Sequence, residues 1–227
     1  MQGVVEVFFN GSLVAEIKEK GSFVGEMSIV TNSPRSATVK AQSDCLFYCI
    51  DGSDLLLLAQ NYPVVLSKMC KSLANKVAHT STDLSLLKMM ENVDKTRVIN
   101  KTRHEDTRFI HNVGQYKNKV IHYEKDVNLF VEGEMSYDMY ILVKGEVRVS
   151  IGGESIVRIS SPGTLIGEMS SLRIKERSAT ITTLVSCEFF KIQGLRLMET
   201  CQEDPQFLVK LAQILANALQ QLEQLRS

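Results

Sequence analysis

The chain repeats itself, and that constrains its fold more than any other feature of the sequence. An offset of 142 residues lays 3–77 on 145–219 without a gap, so that Gly3, Val5, Val7 and Gly11 meet Gly145, Val147, Val149 and Gly153. The match tightens further on. Gly21 meets Gly163, Gly25-Glu26-Met27-Ser28 meets Gly167-Glu168-Met169-Ser170, and Arg35-Ser36-Ala37-Thr38 meets Arg177-Ser178-Ala179-Thr180. Cys45, Phe47, Ile50, Gly52, Pro63, Leu66, Leu73, Ala74 and Asn75 then recur as Cys187, Phe189, Ile192, Gly194, Pro205, Leu208, Leu215, Ala216 and Asn217. Two copies of one domain account for this, the first of them short. A first domain is expected over 1–77, a helical connector over 78–112, and a second domain with a C-terminal helix over 113–227.

Each copy carries the same order of signals. Alternating β-branched and apolar residues come first, as in Val143 to Val149, and Gly152-Gly153 marks a hairpin turn before Ile156–Ile159. A last strand over Cys187–Ile192 precedes a helix opened by Pro205. On that helix Leu208, Leu211, Leu215, Ala218, Leu222 and Leu225 follow the spacing of a coiled-coil seam, which predicts a homodimer. Ile214 and Leu219 widen the stripe, the pattern of a helix that packs on its own barrel instead. In the connector Lys95, Arg97, Lys101, Arg103 and Arg108 interleave with Glu91, Asp94, Glu105 and Asp106, which reads as a solvated helix face rather than a nucleic-acid patch.

Composition narrows the function classes. The 26 Lys and Arg balance 26 Asp and Glu, so bulk charge holds this chain to neither nucleic acid nor anionic lipid. Apolar residues at 44% and charged residues at 23% are ordinary for a soluble globular protein. The longest strongly apolar run, Leu55 to Ala59, is far too short to span a bilayer, and no leader pattern opens the chain. Five cysteines without a Cys-x-x-Cys pair predict reduced thiols in the cytoplasm, which makes the sequons at Asn10 and Asn100 accidental. Cys45 and Cys187 recur on the last strand and predict a packing role. His79, His104, His111 and His122 lack metal-ligand spacing, and neither a nucleophile elbow nor a phosphate-loop Lys is present. No metal, no cofactor and no catalytic group is expected.

The twice-written segment has its own chemistry. Gly25 and Gly167 allow a strained turn and close backbone approach, and the Met-Ser that follows opens a short helix whose free N–H groups suit an anion. Arg35 and Arg177 stand nine residues after Glu26 and Glu168, each followed by a hydroxyl and two small residues. A guanidinium fork matches two phosphate oxygens and a carboxylate accepts from sugar hydroxyls, so the set suits a sugar phosphate. A plain salt bridge between the two side chains would explain the charges, but neither the glycine nor the small residues after the arginine.

At these residues the chain resembles the cyclic nucleotide-binding domain family, shared by the catabolite activator protein, the regulatory subunit of cyclic-AMP-dependent protein kinase and certain ion channels. The family's phosphate-binding cassette is similar to Phe23-Val24-Gly25-Glu26-Met27-Ser28 with Pro34-Arg35-Ser36-Ala37-Thr38, and to Leu165-Ile166-Gly167-Glu168-Met169-Ser170-Ser171-Leu172 with Arg177-Ser178-Ala179-Thr180. Phe130 to Glu134 and Met139 to Val147 look like the strands that precede it. The resemblance covers about 115–226 and again 3–81. It implies a mainly β fold with α: two double-stranded β-helix (jelly-roll-like) barrels, each followed by helices, the first lacking its N-terminal strands because nothing in copy one matches Val120 to Val143.

The resemblance also implies the site. Glu26 and Glu168, with Gly25 and Gly167, would take the ribose 2′-hydroxyl. Arg35 and Arg177 would hold the cyclic phosphate with Ser36, Ser178 and the amides of Met27 and Met169. Thr80 and Ser81 would cover the base in copy one, and Leu222 stands at the matching place in copy two. Cyclic AMP is favoured over cyclic GMP. The function expected is that of a non-catalytic cyclic nucleotide sensor that transmits a helix rearrangement to an effector protein, with no nucleic acid or membrane contact. The alternatives are the sensor part of a transcription regulator, disfavoured because the sequence stops at Ser227 directly after the helix, and a structural barrel pair with empty pockets. The short first copy is expected to mean a fragment of a longer chain, strands supplied by another chain, or a remodelled barrel.

Overall fold

The structure, a computed structural model, describes residues 2–50, 54–91 and 120–224, with the side chains of 81–91 and of 224 left aside. Residues 92–112 of the expected connector lie outside the described residues. Two compact units are present, one of Met1–Leu73 with Cys201–Asn217, the other of Ala74–Thr200 with Ala218–Ser227.

The second unit holds the complete barrel. Its strands are β4 (Val120–Tyr123), β5 (Asn128–Phe130), β6 (Met139–Lys144), β7 (Val147–Ile151), β8 (Glu154–Ile159), β9 (Leu165–Ile166), β10 (Thr180–Thr183) and β11 (Cys187–Ile192). They form two antiparallel four-stranded sheets in the orders β5-β10-β7-β8 and β4-β11-β6-β9. The alternation read from Val147 and Val149 puts one face inward: both valines are buried, together with Ile159, Ile181, Phe130, Tyr140, Leu142, Ile166, Cys187 and Phe189. Phe189 lies at the centre of an aromatic cluster, edge-on to Tyr123 at 5.8 Å and to Tyr140 at 5.9 Å between centroids. Between β9 and β10 runs the short helix α4 (Glu168–Arg173).

The first unit holds half a barrel. Strands β1 (Val5–Phe9), β2 (Ser12–Ile17) and β3 (Thr38–Ala41) form one sheet in the order β2-β1-β3, with helix α1 (Glu26–Thr31) between β2 and β3. The sequence offset is preserved rung by rung. Val5 pairs Ile17 as Val147 pairs Ile159, Val7 pairs Val39 as Val149 pairs Ile181, and the register slips after Val7 as it does after Val149. No described strand of this unit matches β4, β5 or β6, as expected.

Helices α2 (Leu55–Asn61) and α3 (Pro63–Glu91) follow β3 in sequence, and α5 (Leu197–Glu203) and α6 (Pro205–Gln224) follow β11. Pro63 and Pro205 each open a helix, where the missing N–H costs no bond. Asp54 caps α2 by accepting from the amide of Leu57 at 2.9 Å. The boundary expected at residue 77 falls inside α3, which runs unbroken to Glu91. The predicted dimer seam requires correction. Of its residues, Leu208, Leu211, Leu215 and Leu222 are at most 5% exposed within the single chain and Ala218 is half-buried, so they offer no apolar stripe to a second copy; Leu225 lies outside the described residues. In the first unit Leu66, Met69, Cys70 and Leu73 of α3 are buried as well, and the Cys70 thiol lies 3.8 Å from the Leu208 carbonyl. The wider stripe with Ile214 and Leu219 was the better guide, because a helix with several covered sides needs more than a two-position seam. No described helix is long and apolar enough to cross a membrane.

The recurrence of cysteine has a local cause. Gly145, at φ 111°, lies where an added Cβ would collide with the Cys187 sulfur, and Gly3, at φ 103°, stands in the same relation to Cys45. Burial pushes the Cys187 and Cys70 thiols up and brings Cys201 to about 12, whereas Cys49 is exposed. Since the thiolate is the nucleophile, iodoacetamide is expected to label Cys49 in the native protein and to reach Cys70, Cys187 and Cys201 only in denaturant, as peptide mass mapping would show.

Candidate functional site

Both cassettes share one local geometry. Gly25 (φ 80°, ψ 13°) and Gly167 (φ 86°, ψ 9°) take the left-handed conformation just before a six-residue helix, α1 or α4. Each helix ends on another left-handed residue, Asn32 or Ile174. The arginine that follows donates from Nη1 to the carbonyl of the turn glycine, Arg35 to Gly25 at 2.6 Å and Arg177 to Gly167 at 3.1 Å. Glycine is required twice over: its φ is positive, and an added Cβ would collide with the guanidinium, in the second cassette at 2.7 Å from Nη1 and 3.0 Å from the Asp138 carbonyl. Gly167→Ala is therefore expected to destabilise the second unit by about 2 kcal/mol or more, counting about 1 to 2 kcal/mol for the left-handed conformation alone, read as a lower urea midpoint.

The two arginines differ in surroundings. Arg177 is 2% exposed. Its Nε donates to the Ser136 hydroxyl at 2.9 Å and its Nη2 to the Asp138 carbonyl at 2.6 Å, and its Cζ lies 3.8 Å from the centroid of the Phe130 ring. Its main chain is held too, donating to the Glu134 carbonyl at 3.0 Å and accepting from the Gly133 amide at 2.9 Å. Among the described residues every hydrogen-bond acceptor of this guanidinium is neutral, and no carboxylate lies within ion-pair distance. One hydrogen on each terminal nitrogen remains uncommitted. Burial lowers the affinity of this guanidinium for its proton, and the charges of Glu134, Asp138 and Glu168 oppose that from farther off. A guanidinium nevertheless stays protonated. A buried cation held by neutral dipoles can receive an anion.

Arg35 is exposed. Besides Gly25, among the described residues it donates to the Ser28 hydroxyl, at 2.6 Å. The residues that enclose Arg177, namely Phe130, Ser136 and Asp138, belong to the stretch that has no counterpart before Gly3. Of the other predicted groups, Glu26 is buried, Glu168, Met27 and Met169 are half-buried, and Ser36 and Ser178 are exposed. Thr80 is half-buried on α3, the side chain of Ser81 lies outside the described residues, and Leu222 is buried on α6. Sequence reasoning missed Phe130, Ser136 and Asp138. Comparing the two copies revealed the cassette because both carry it, and that comparison is blind to a stretch present once.

Known proteins of one family are similar to this chain. The family model described as cyclic nucleotide-binding domain matches residues 1–62 and again 120–204. The chain is 25% identical over 185 residues to the cAMP-dependent protein kinase regulatory subunit of Eremothecium gossypii, covering 80% of this chain and 34% of that protein. It is also 25% identical over 183 residues to the corresponding subunit of Debaryomyces hansenii, covering 81% and 36%. It thus spans about a third of the length of these relatives. A solved structure described as cAMP-bound PfPKA-R aligns over 99% of this chain and 72% of its own, at 20% identity and a TM-score of 0.35. With the model matching at both cassettes and over most of its length, the chain belongs to the cyclic nucleotide-binding domain family.

Proposed function

We propose that the chain is a non-catalytic regulatory module that binds one cyclic nucleotide, in its second cassette, and signals the binding to an effector protein. The observation that carries this reading is Arg177, buried at 2% exposure with only neutral hydrogen-bond partners among the described residues. Its open fork takes two oxygens of the cyclic phosphate, supported by the Ser178 hydroxyl and the amide of Met169. Glu168, which follows the Gly167 turn, accepts from the ribose 2′-hydroxyl. Cyclic AMP is the preferred ligand, in line with the relatives that are regulatory subunits of a cAMP-dependent kinase.

Neutralising the buried charge favours the arrangement in which the fork is engaged, so the ligand shifts an equilibrium between conformations of α4 and the helices that follow the barrel. Leu222 on α6 is the candidate for contact with the base there; Thr80 and Ser81 are the candidates for copy one. In the first cassette Arg35, Ser36, Gly25, Glu26 and Met27 keep the local pattern, but Arg35 lacks the enclosure that gives Arg177 its affinity for an anion. The cell compartment in this reading is the cytoplasm.

Calorimetry with cyclic AMP and cyclic GMP tests the proposal. One nucleotide per chain is the expected stoichiometry, with cyclic AMP the tighter. No heat from either at about 100 μM, a weak limit of about 5 kcal/mol, would leave the barrels as structural elements, and two equivalents would give the first cassette a role as well.

A further inference from the structure

We propose that Lys191 is a positioning residue for the anion site at Arg177: by holding the Asp138 carboxylate, it keeps an anion of the chain itself from taking the ligand's place. The inference rests on the proposed reading of the second cassette. Asp138 serves two partners at once. Its carbonyl accepts from Nη2 of Arg177 at 2.6 Å, and its carboxylate pairs with Nζ of Lys191, also at 2.6 Å. The residue lying against the buried guanidinium therefore carries the very group a guanidinium prefers, because a carboxylate accepts both prongs of the fork at once and brings the opposite charge. With the carboxylate drawn aside, Arg177 meets only the neutral end of Asp138. Released, the same carboxylate would compete with a phosphate for one cation.

The sheet puts the lysine where this requires it. Lys191 lies on β11 opposite Tyr140 of β6, which begins directly after Asp138. Its Nζ is 5.9 Å from the centroid of the Tyr140 ring, within the range of cation–π attraction. The side chains of Lys191 and Asp138 are 31% and 33% exposed, so packing alone does not lock them and the ion pair decides where the carboxylate points. The other carboxylate of the loop is held locally. Glu134 accepts from the Ser136 hydroxyl and, at 3.0 Å, from the Val131 amide, and these bonds keep its carboxyl below the usual range. Asp138 is held instead from a distant strand. In the first copy Cys49 stands at the place of Lys191, so the repeat writes this lysine once. A lysine near an anion site also attracts the anion directly, and the two roles differ in what Asp138 does once the lysine is gone.

Titration calorimetry with cyclic AMP on the full chain separates the two. Lys191→Met removes the charge at similar length and is expected to weaken binding about tenfold, which corresponds to about 1.4 kcal/mol. Combining it with Asp138→Asn, which keeps the carbonyl and removes the competing charge, is expected to recover the affinity to within about threefold of wild type, the non-additivity that marks a coupled pair. Lys191→Arg, which keeps a cation there, is expected to retain most of the affinity. Lys191→Met binding as the wild type does overturns the proposal. So does a double variant as weak as Lys191→Met, because the lysine is then a plain attractor of the phosphate. A crystal structure of unliganded Lys191→Met tests the same point without nucleotide: an Asp138 carboxylate oxygen is expected at about 2.7 to 2.9 Å from the Arg177 guanidinium, and a carboxylate that stays away from it overturns the proposal. The failures are distinct. A wild-type chain that binds no cyclic nucleotide, with the Asp138–Arg177 pair formed in the variant crystal, overturns the proposed function and supports the hold of Lys191 on Asp138.

Discussion

Replacing Arg177 with alanine is expected to weaken cyclic AMP binding by a factor of about 10² to 10⁴, while Arg35→Ala changes it by less than about twofold. The first figure follows from two charge-assisted hydrogen bonds to the phosphate at about 1.5 to 3 kcal/mol each. The second follows from exposure: an arginine already in water, with no enclosure, exchanges one set of solvated contacts for another. Because Arg177 also ties Ser136, Gly167 and Asp138 together, its loss loosens the site as well as removing the charge. Arg177→Lys separates the two effects. It keeps the charge but presents a point rather than a fork, and an affinity between wild type and alanine would assign part of the loss to geometry. Titration calorimetry with a thermal melt of each variant measures this, and an equal loss for Arg35→Ala would sink the assignment of the functional site to the second cassette.

The second large effect concerns one repeat position in its two settings. Phe189→Ala is expected to cost about 3 to 5 kcal/mol, the usual range for deleting a buried ring, because the side chain is fully buried and meets Tyr123 and Tyr140 edge-on. Phe47→Ala, at the matching position, is expected to cost about 1 kcal/mol or less, since that ring is 47% exposed. Urea unfolding followed by tyrosine fluorescence reads the first directly, as Tyr123 and Tyr140 flank the ring and the chain has no tryptophan. Equal costs at the two positions would mean that the first half buries its core as completely as the second.

Much of the site was legible from residue types alone. A glycine, a carboxylate and an arginine written twice at one spacing pointed to a strained turn facing an anion. Both turns are left-handed, and both arginines bond the glycine carbonyl. That no described strand of copy one matches β4, β5 or β6 was equally visible, because the internal match starts at Gly3. The helix stripe was misread for a different reason. Spacing along α6 tells which side of a helix is apolar, and nothing in that spacing says whether the same chain or a second one covers it; here the chain itself buries Leu208, Leu211 and Leu215.

By itself, then, the amino-acid order determined the repeat, the hairpin turn at Gly152-Gly153 and the identity of the cassette, since each depends on conformations a few residues apart or on an exact internal match. Only the tertiary structure distinguished the two arginines. The same three residues follow them in sequence and they share the same local turn, but one is wrapped by Phe130, Ser136 and Asp138, about forty to fifty residues upstream, and the other faces water. The energy of a charge is set by everything that excludes solvent from it, and that enclosure is assembled from distant chain segments no local pattern records.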